Sequence, residues 1–330
     1  MVPGTTLTRH ILEGQKAHPG ATGEFSALLT QVALAGKRIS FELSRAGILG
    51  ETGLTGATNI HGEKVKELDQ ISNDIFVDSF KYLDLVSLVV SEEMNMAAAL
   101  QGPSRTGKYN LYIDPLDGSS NIGVNGGVGS IFSIHKILDG PRGGAEKSLL
   151  QKGSAQVTAG YIMYGPSTLM VLACYDGVHV FTLDTGIGEF ILTQEKVAIP
   201  KKGKILSVNA CNHAKWEPGM KAFLDFTEGR DPKKKESFSS RYSGTFVTDF
   251  HRVLLEGGVF MYPGDFGNPQ GKLRLLYEVA PMAFVCERAG GRATTGRERI
   301  LDILPTDIHQ HAPAILGSPD NVEQVLSFLK

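Results

Sequence analysis

Asp114-Pro115-Leu116-Asp117-Gly118-Ser119-Ser120-Asn121 concentrates more potential chemistry than any other stretch of this 330-residue chain. The run Leu111-Tyr112-Ile113 leads into it and reads as the end of a buried strand. Pro115 and Gly118 then predict a turn, so two carboxylates stand at a strand terminus. Carboxylates cost free energy to bury unless they are paired or hold a metal. Clustered oxygen donors suit hard cations such as Mg²⁺ or Mn²⁺. Gly118, Ser119, Ser120 and Asn121 are small or polar, and backbone N–H groups in such a turn can face phosphate oxygens. Together these features point to metal-assisted phosphoryl chemistry. Taken alone, the stretch is explained about equally well as a capped turn with surface aspartates.

Two further acidic elements shift that balance. The predicted strand Val86–Ser91 ends in Glu92-Glu93, and adjacent side chains at a strand end point in different directions. One glutamate could ligate metal while the other handles a proton; an ordinary acidic strand end is the plainer reading. Far downstream, Gly271-Lys272-Leu273-Arg274-Leu275-Leu276-Tyr277-Glu278 precedes an apolar helix from Val279 to Arg288, closed by Gly290-Gly291. Glu278 at that helix start is favourable as a simple cap. Lys272 and Arg274 alternate with leucines, which predicts both cations on one side of a strand, facing either solvent or an anionic ligand.

The elements that must position these groups are of mixed α/β type. Apolar periodicity predicts a helix over 26–44 and a second from Glu63 to about Lys81. The Gly- and Thr-rich stretch from Gly47 to Gly62 reads as a long loop of the functional kind. Strands dominate from Val86 to Leu192, with 139–154 as a hairpin loop. Pro200-Lys201-Lys202-Gly203 is the best domain boundary, giving domains 1–199 and 200–330. Beyond it the pattern predicts strands 205–208 and 259–262 and helices 215–227 and 245–256.

A hydrophobic content of 42% supports a substantial core, and a net charge of −2 argues against broad nucleic-acid attraction. Cys174, Cys211 and Cys286 are far apart, without a C-x-x-C, and read as buried small hydrophobes in a reducing compartment. The N-terminus lacks a signal-peptide core, and no apolar run approaches a bilayer's width. A cytoplasmic enzyme is therefore expected. His309-Gln310-His311 reads as a surface turn, Lys233-Lys234-Lys235 as a solvated loop and Trp216 as packing.

From Thr22-Gly23-Glu24 to the C-terminal helix, the chain closely resembles class I fructose-1,6-bisphosphatases. The resemblance rests on Leu68-Asp69, Ser72-Asn73-Asp74, Ser91-Glu92-Glu93, the 114–121 motif, Ala159-Gly160-Tyr161, Met163-Tyr164-Gly165, Arg241-Tyr242 and the 271–278 segment. The 114–121 motif alone marks only the wider superfamily of Li⁺-sensitive, Mg²⁺-dependent phosphatases. The resemblance implies a layered α/β/α/β/α fold, hydrolysis of the 1-phosphate of fructose 1,6-bisphosphate, and two or three Mg²⁺ (or Mn²⁺) ions. It implies metal ligands at Glu92, Asp114, the Leu116 carbonyl, Asp117 and Glu278, and water activation by Glu93 with Asp69. Gly118, Ser119 and Ser120 would meet the 1-phosphate. Asn209, Tyr242, Tyr262, Lys272 and Arg241 would meet the 6-phosphate, the arginine crossing from a neighbouring subunit of a homotetramer. An N-terminal AMP site would comprise Thr22, Gly23, Glu24, Ser26, Lys108, Tyr109 and Lys136, although a capping turn alone explains residues 22–24.

Some positions depart from the family pattern. Gly123 stands where aspartate is usual, and Gly126-Gly127 is expected to loosen the segment after the phosphate turn. Glu63 replaces an aspartate, Asn212 stands where some relatives have tyrosine, and Lys136 replaces arginine. The 139–154 loop lacks the regulatory cysteines of chloroplast relatives. The same chemistry on sedoheptulose 1,7-bisphosphate, and a non-catalytic metabolite sensor on this fold, are the alternatives. A sensor would be expected to lack Glu93, Asp117 or Glu278, and all three are present.

Overall fold

The structure, a computed structural model, describes residues 4–16, 23–49, 54–58, 64–81, 83–100, 107–138, 144, 146–229 and 238–330, with 54–58 and 64–66 described by backbone only. The helices are α1 (Leu7–Lys16), α2 (Glu24–Leu49), α3 (Glu67–Phe80), α4 (Pro218–Thr227), α5 (Phe246–Glu256), α6 (Ala280–Arg288) and α7 (Pro319–Phe328). The strands of the first part are β1 (Leu54–Thr58), β2 (Lys64–Lys66), β3 (Val86–Ser91), β4 (Ala98–Ala99), β5 (Tyr109–Asp117), β6 (Val128–Lys136), β7 (Gln156–Tyr164), β8 (Thr168–Cys174), β9 (Gly177–Asp184) and β10 (Glu189–Gln194). β11 (Ile205–Ser207), β12 (Ser239–Ser240), β13 (Gly258–Tyr262), β14 (Arg292–Thr294) and β15 (Ala314–Gly317) complete them.

Eight strands form one sheet in the order β10-β9-β8-β7-β6-β5-β3-β4, antiparallel except for the β3–β5 pair. Five form a second, β12-β11-β13-β15-β14. Alternation along the strands sends side chains to opposite faces. Leu111, Ile113 and Phe132 pack under α1, α2 and α3, while Ile131, Tyr161 and Val171 face α5 and α6. The other sides of α5 and α6 rest on Phe260 and Leu316 of the small sheet. That sheet's far face packs against α4 and α7 through Val259, Ile315, Phe223 and Val322. The expected α/β/α/β/α layering is therefore present.

Several local expectations differ. α2 runs on to Leu49, and 54–58 is a strand rather than loop. Lys64–Lys66 pairs with it as β2, which delays α3 to Glu67. The rest of the Gly47–Gly62 stretch, with Glu63, lies outside the described residues, as do Lys233-Lys234-Lys235 and part of 139–154. The 215–227 helix begins only at Pro218, after a 3₁₀ turn over Ala210–Lys215. Lys272 and Arg274 do not share a strand face: Lys272 is exposed and Arg274 buried, because the chain enters a π-turn at Leu275. Cys211 is exposed, unlike Cys174 and Cys286. Trp216 is buried among Met220, Phe223 and Val208, as packing predicts.

Two buried histidines predict a pH effect on stability. Burial lowers the pKa of His251 to about 4 and that of His135 to about 3. His251 Nδ1 lies 2.8 Å from the Tyr161 hydroxyl. Both rings stay neutral in the fold, while the unfolded chain gains protons below about pH 6.5. Stability should therefore be full above that pH and fall as pH drops towards 4, by roughly 2 kcal/mol per ring at pH 5. Urea unfolding midpoints between pH 7 and pH 5 check this; His251→Asn should flatten the slope.

Candidate active site

Four elements meet at one point between the sheets: the end of β3, the end of β5, the start of α5 and the turn before α6. In a regular strand Asp114 and Asp117, three residues apart, would face opposite sides. The β5–β6 register slips between them: Asp114 pairs with Ile131, but Asp117 pairs with Gly129. Three residue steps on β5 thus match two on β6, a β-bulge around Pro115 and Leu116 that brings both carboxylates to the same face. Pro115 suits a bulge, having no N–H to give the ladder. Its carbonyl accepts from Ser130 Oγ at 2.7 Å, and Tyr164 Oη stands 2.8 Å from that hydroxyl. Pro115 is thus part of the strand, and the turn begins only at Gly118.

Glu278 arrives by a second irregularity. Leu275–Val279 forms a π-turn in which the Val279 N–H donates to the Arg274 carbonyl at 2.9 Å. Single π-turns often occur at functional sites. Here the turn folds Glu278 back so that its Oε2 accepts from the Arg274 N–H at 2.6 Å. Asp114, Asp117 and Glu278 are all buried, and each offers a carboxylate oxygen within 4.8 Å of the others. Asp114 Oδ1 accepts from the Leu116 N–H at 3.0 Å, and Asp117 Oδ2 from the Val247 N–H at 2.7 Å.

The electrostatics of this cluster are adverse. Burial, then the neighbouring carboxylates of Glu92, Asp117 and Glu278, push the Asp114 pKa well above the usual range. Glu278 is raised well above its ordinary value by burial first and Glu92 next. Asp117 is raised to about 7 by burial, against the pull of the Val247 and Phe246 N–H groups. Glu92 shares a side-chain hydrogen bond with Asp114. Four acidic groups so arranged are an oxygen-rich cage whose ionised form a bound cation would favour over protonation. The donor set fits a hard divalent ion. Arg274 is buried at the rim, and its Nε finds no hydrogen-bond partner among the described residues.

Glu93 follows in the turn after β3, its N–H donating to Ser91 Oγ at 3.3 Å. Ser91 Oγ in turn donates to Asn73 Oδ1 at 2.7 Å, fixing α3 against the end of β3. Asp69 lies one helical turn before Asn73, on the same face, and is buried. Gly118 follows the cage in the left-handed region, φ 77°. A Cβ there would collide with the Thr245 side chain. Ser119–Val124 then forms a 3₁₀ turn with Ser119 half-buried and Ser120 exposed. Asn121 Nδ2 donates to Thr245 Oγ1 at 2.6 Å, and Thr245 Oγ1 donates to the Gly127 carbonyl at 2.9 Å. The expected loosening at Gly126-Gly127 is therefore countered. Gly126 has no room for a side chain against Asn121, and its N–H donates to the Asn121 carbonyl at 2.9 Å.

A polar cavity opens on the small-sheet side, lined by Asn209, Asn212, Lys215, Tyr262 and Lys272. The Tyr242 hydroxyl shares a hydrogen bond with Asn209 and lies near Tyr262. Arg241 does not line this cavity; it is exposed, and its guanidinium donates to the Ser240 carbonyl at 2.8 Å. Lys215 carries no sequence signal as a ligand contact, whereas Arg274 reads, with Lys272, as facing solvent or an anionic ligand. Lys215 hides at the end of a 3₁₀ turn, which has no periodic signature, and Arg274 was assigned to the wrong geometry.

The AMP-type residues lie apart, around a second cavity of about 430 Å³ between α1, α2 and the large sheet. Gly23, Glu24, Ser26, Lys108, Tyr109 and Lys136 all line it, with His10, Gly14, Tyr175 and Asp176. Thr22 lies outside the described residues. Lys108 Nζ donates to both Glu24 oxygens, at 2.8 and 2.7 Å. Ser26 Oγ donates to Gln15 Oε1 at 2.8 Å.

Comparison with known proteins agrees with this architecture. Residues 5–195 match the family model for the fructose-1-6-bisphosphatase N-terminal domain, and residues 199–330 match that for the C-terminal domain. The class 1 fructose-1,6-bisphosphatase of Trichormus variabilis is 46% identical over 327 residues, 99% of this chain and 92% of the relative. That of Chloroherpeton thalassium is 47% identical over 96% of this chain and 91% of its own. The crystal structure of Leishmania major fructose-1,6-bisphosphatase in holo form superposes with a TM-score of 0.93 at 40% identity, covering 99% of this chain and all of that one. Two sheets, a carboxylate cage and full-length similarity therefore converge: the chain belongs to the class 1 fructose-1,6-bisphosphatase family.

Proposed function

We propose that this chain hydrolyses the 1-phosphate of fructose 1,6-bisphosphate to fructose 6-phosphate and phosphate, as a Mg²⁺- or Mn²⁺-dependent homotetrameric enzyme of cytoplasmic sugar-phosphate metabolism such as gluconeogenesis. The convergence of Asp114, Asp117 and Glu278 beside the Gly118 turn carries this reading. Those three, Glu92 and the Leu116 carbonyl would hold two or three divalent ions. Bound there, the ions would offset the phosphate's charge and stabilise the leaving alkoxide. The backbone N–H groups of Gly118 and Ser119, with the Ser120 hydroxyl, bind the 1-phosphate oxygens. Arg274 Nε adds a charged donor at the rim.

A water attacks phosphorus opposite the C1 oxygen. Glu93 accepts its proton, and Asp69 holds Glu93 in place. The new P–O bond forms as the P–O1 bond breaks, and the departing oxygen takes a proton from solvent. Asn209, Tyr242, Tyr262 and Lys272 hold the 6-phosphate, the nearest of them lining one cavity. Arg241, turned away from its own cavity, completes the pocket of a neighbouring subunit. Exposed Leu34, Phe41 and Ile48 on α2 support an assembly of subunits. Gly23, Glu24, Ser26, Lys108, Tyr109 and Lys136, with Thr22, bind AMP as an inhibitor. Free cysteines support a reducing compartment, and among the described residues no helix is long and apolar enough to cross a membrane.

Phosphate release from a panel of sugar bisphosphates and monophosphates, with and without Mg²⁺, tests the activity. Release that prefers sedoheptulose 1,7-bisphosphate, or needs no divalent ion, would overturn the reading. Within that assay Asp117→Asn should nearly abolish turnover, a loss of several kcal/mol of transition-state stabilisation, while the protein stays folded. Glu93→Gln should lower kcat by roughly 10²- to 10⁴-fold, with little change in substrate affinity.

Arg241→Ala should raise KM for the bisphosphate. Mixed oligomers of Arg241→Ala and Asp117→Asn subunits should regain activity, since some sites then hold both intact residues. Verified hybrids without any rescue would place Arg241 in its own subunit's site.

AMP inhibition should be non-competitive with substrate and weaker in Lys108→Ala by roughly 10- to 100-fold, the equivalent of one charge-assisted hydrogen bond. The Lys108–Glu24 pair is largely exposed, so opening it for a phosphate costs little. Competitive inhibition untouched by Lys108→Ala would leave the 22–24 turn as a cap alone.

A further inference from the structure

The second cluster of metal-competent side chains lies far along the large sheet from the carboxylate cage. His10 of α1, Asp176 of the β8–β9 turn and His179 of β9 each offer a ligand atom within 4.8 Å of the others. Leu7 and Ile11, both buried, fix the α1 face that carries His10. The His10 ring sits 4.4 Å from that of His179 and 5.4 Å from Phe181. The β8–β9 turn folds Asp176 back over His179, three residues on.

Two ligand atoms of this cluster are left without hydrogen bonds. His179 has no exposed surface, and its Nε2 finds no hydrogen-bond partner; neither does the buried Asp176 Oδ1. Asp176 Oδ2 stands 3.3 Å from His179 Nε2, but the alignment is not that of a hydrogen bond. That separation has another meaning. Two ligands about 2.0–2.1 Å from a tetrahedral ion lie roughly 3.3 Å apart. Burial lowers the His179 pKa, against the opposing pull of the Asp176 carboxylate beside it, and the neutral imidazole that this favours is the form that ligates. Two imidazoles and one carboxylate favour borderline ions such as Zn²⁺ over Mg²⁺.

We propose that His10, Asp176 and His179 form a Zn²⁺-class transition-metal site in the wall of the N-terminal cavity, separate from the carboxylate cage. Three protein ligands leave a fourth position for water or an anion. His10 and Asp176 both line the cavity that also holds Lys108, Tyr109 and Lys136. Ligation through Nε2 puts the His179 ring proton on Nδ1 and gives up the long 3.4 Å hydrogen bond from the Lys196 N–H. The ion ties α1 to the β8–β9 hairpin and adds positive charge to the cavity wall.

Co²⁺ is the probe, added to the tag-free full chain in excess Mg²⁺ so that the carboxylate cage is filled with the hard ion. The expected result is one equivalent of Co²⁺ bound with the intense visible spectrum of a four-coordinate site, displaced by Zn²⁺. His10→Gln and Asp176→Asn should each weaken that binding by roughly 10- to 100-fold or more, at least the loss seen for removing outer-shell partners. Both variants should unfold in metal-free buffer at the parent's midpoint. Zn²⁺ should raise the unfolding temperature of the parent more than that of either variant. A parent that binds no Co²⁺ beyond the cage, or Co²⁺ affinity unchanged in both folded variants, would overturn the site. Neither outcome bears on fructose bisphosphate hydrolysis, which is assayed separately with Mg²⁺.

Discussion

Asp114, Asp117 and Glu278 crowd three buried carboxylates within reach of one another, and Glu92 adds a fourth acidic group to the same field. Without a cation that arrangement works against folding, because each buried charge has lost water and gained like-charged neighbours. The surrounding architecture makes sense as the means of holding these groups together despite that repulsion. Each carboxylate is gripped by a backbone N–H: Asp114 by Leu116, Asp117 by Val247 and Glu278 by Arg274. Backbone donors cannot swing away as side chains can. The cage therefore keeps its shape whether or not its charge is neutralised, which is the preorganisation that electrostatic catalysis needs.

That grip also joins the two halves of the chain. Val247 lies in the first turn of α5, the helix packed between the sheets, and Thr245 at its N-cap is fixed to both Asn121 and the Gly127 carbonyl. The turn proposed to hold phosphate is thus clamped by an element of the second sheet's layer. Asp249 tightens the same corner, its carboxylate accepting from the Ser243 and Gly244 N–H groups at 2.8 and 3.2 Å. Tyr242 follows from that loop towards Asn209 and Tyr262. One short segment, 242–249, therefore links the cage to the small-sheet cavity. A relative movement of the two sheets would disturb the cage and the small-sheet cavity at once.

The sequence made the chemistry legible and left the geometry obscure. The 114–121 motif and Glu92-Glu93 announce an acidic, phosphate-binding strand end, and layered α/β packing follows from alternating apolar runs. The β-bulge could not be read, because three-residue spacing with a proline looks like a turn. The π-turn was hidden for a related reason: Lys272-Leu273-Arg274-Leu275 alternates as a strand does, yet tertiary contacts bury Arg274 and leave Lys272 outside. α1 carries no strong signal, since its ten residues have only Leu7 and Ile11 fully committed to the core. His10 therefore drew no attention, and its meeting with Asp176 and His179 depends on a contact between distant parts of the chain. Irregular backbone and long-range encounters are what a linear pattern cannot carry.

β5 is the physical link between the N-terminal cavity and the cage. Lys108 immediately precedes this strand and Asp114 lies within it, so about 20 Å of extended chain separates them at ~3.3 Å per residue. From Asn110 onward every residue of the strand is buried, and it is hydrogen-bonded to β3 on one side and β6 on the other. A close-packed strand of this kind does not stretch or bend in small degrees. It can shift only with its neighbours, and the neighbours matter: β3 leads directly into Glu92 and Glu93, and β6 carries Lys136 at the cavity and Gly129 opposite Asp117. An anion bound between Lys108 and Lys136, as proposed, would pull on two adjacent strands whose far ends shape the cage. Coupling between the sites then requires no relay of individual side chains, only two arrangements of this strand group that bind the anion with different affinity. The bulge at Pro115 and Leu116 is where the β5–β6 ladder is interrupted, so a displacement arriving along β5 would be taken up there, beside Asp114 and Asp117.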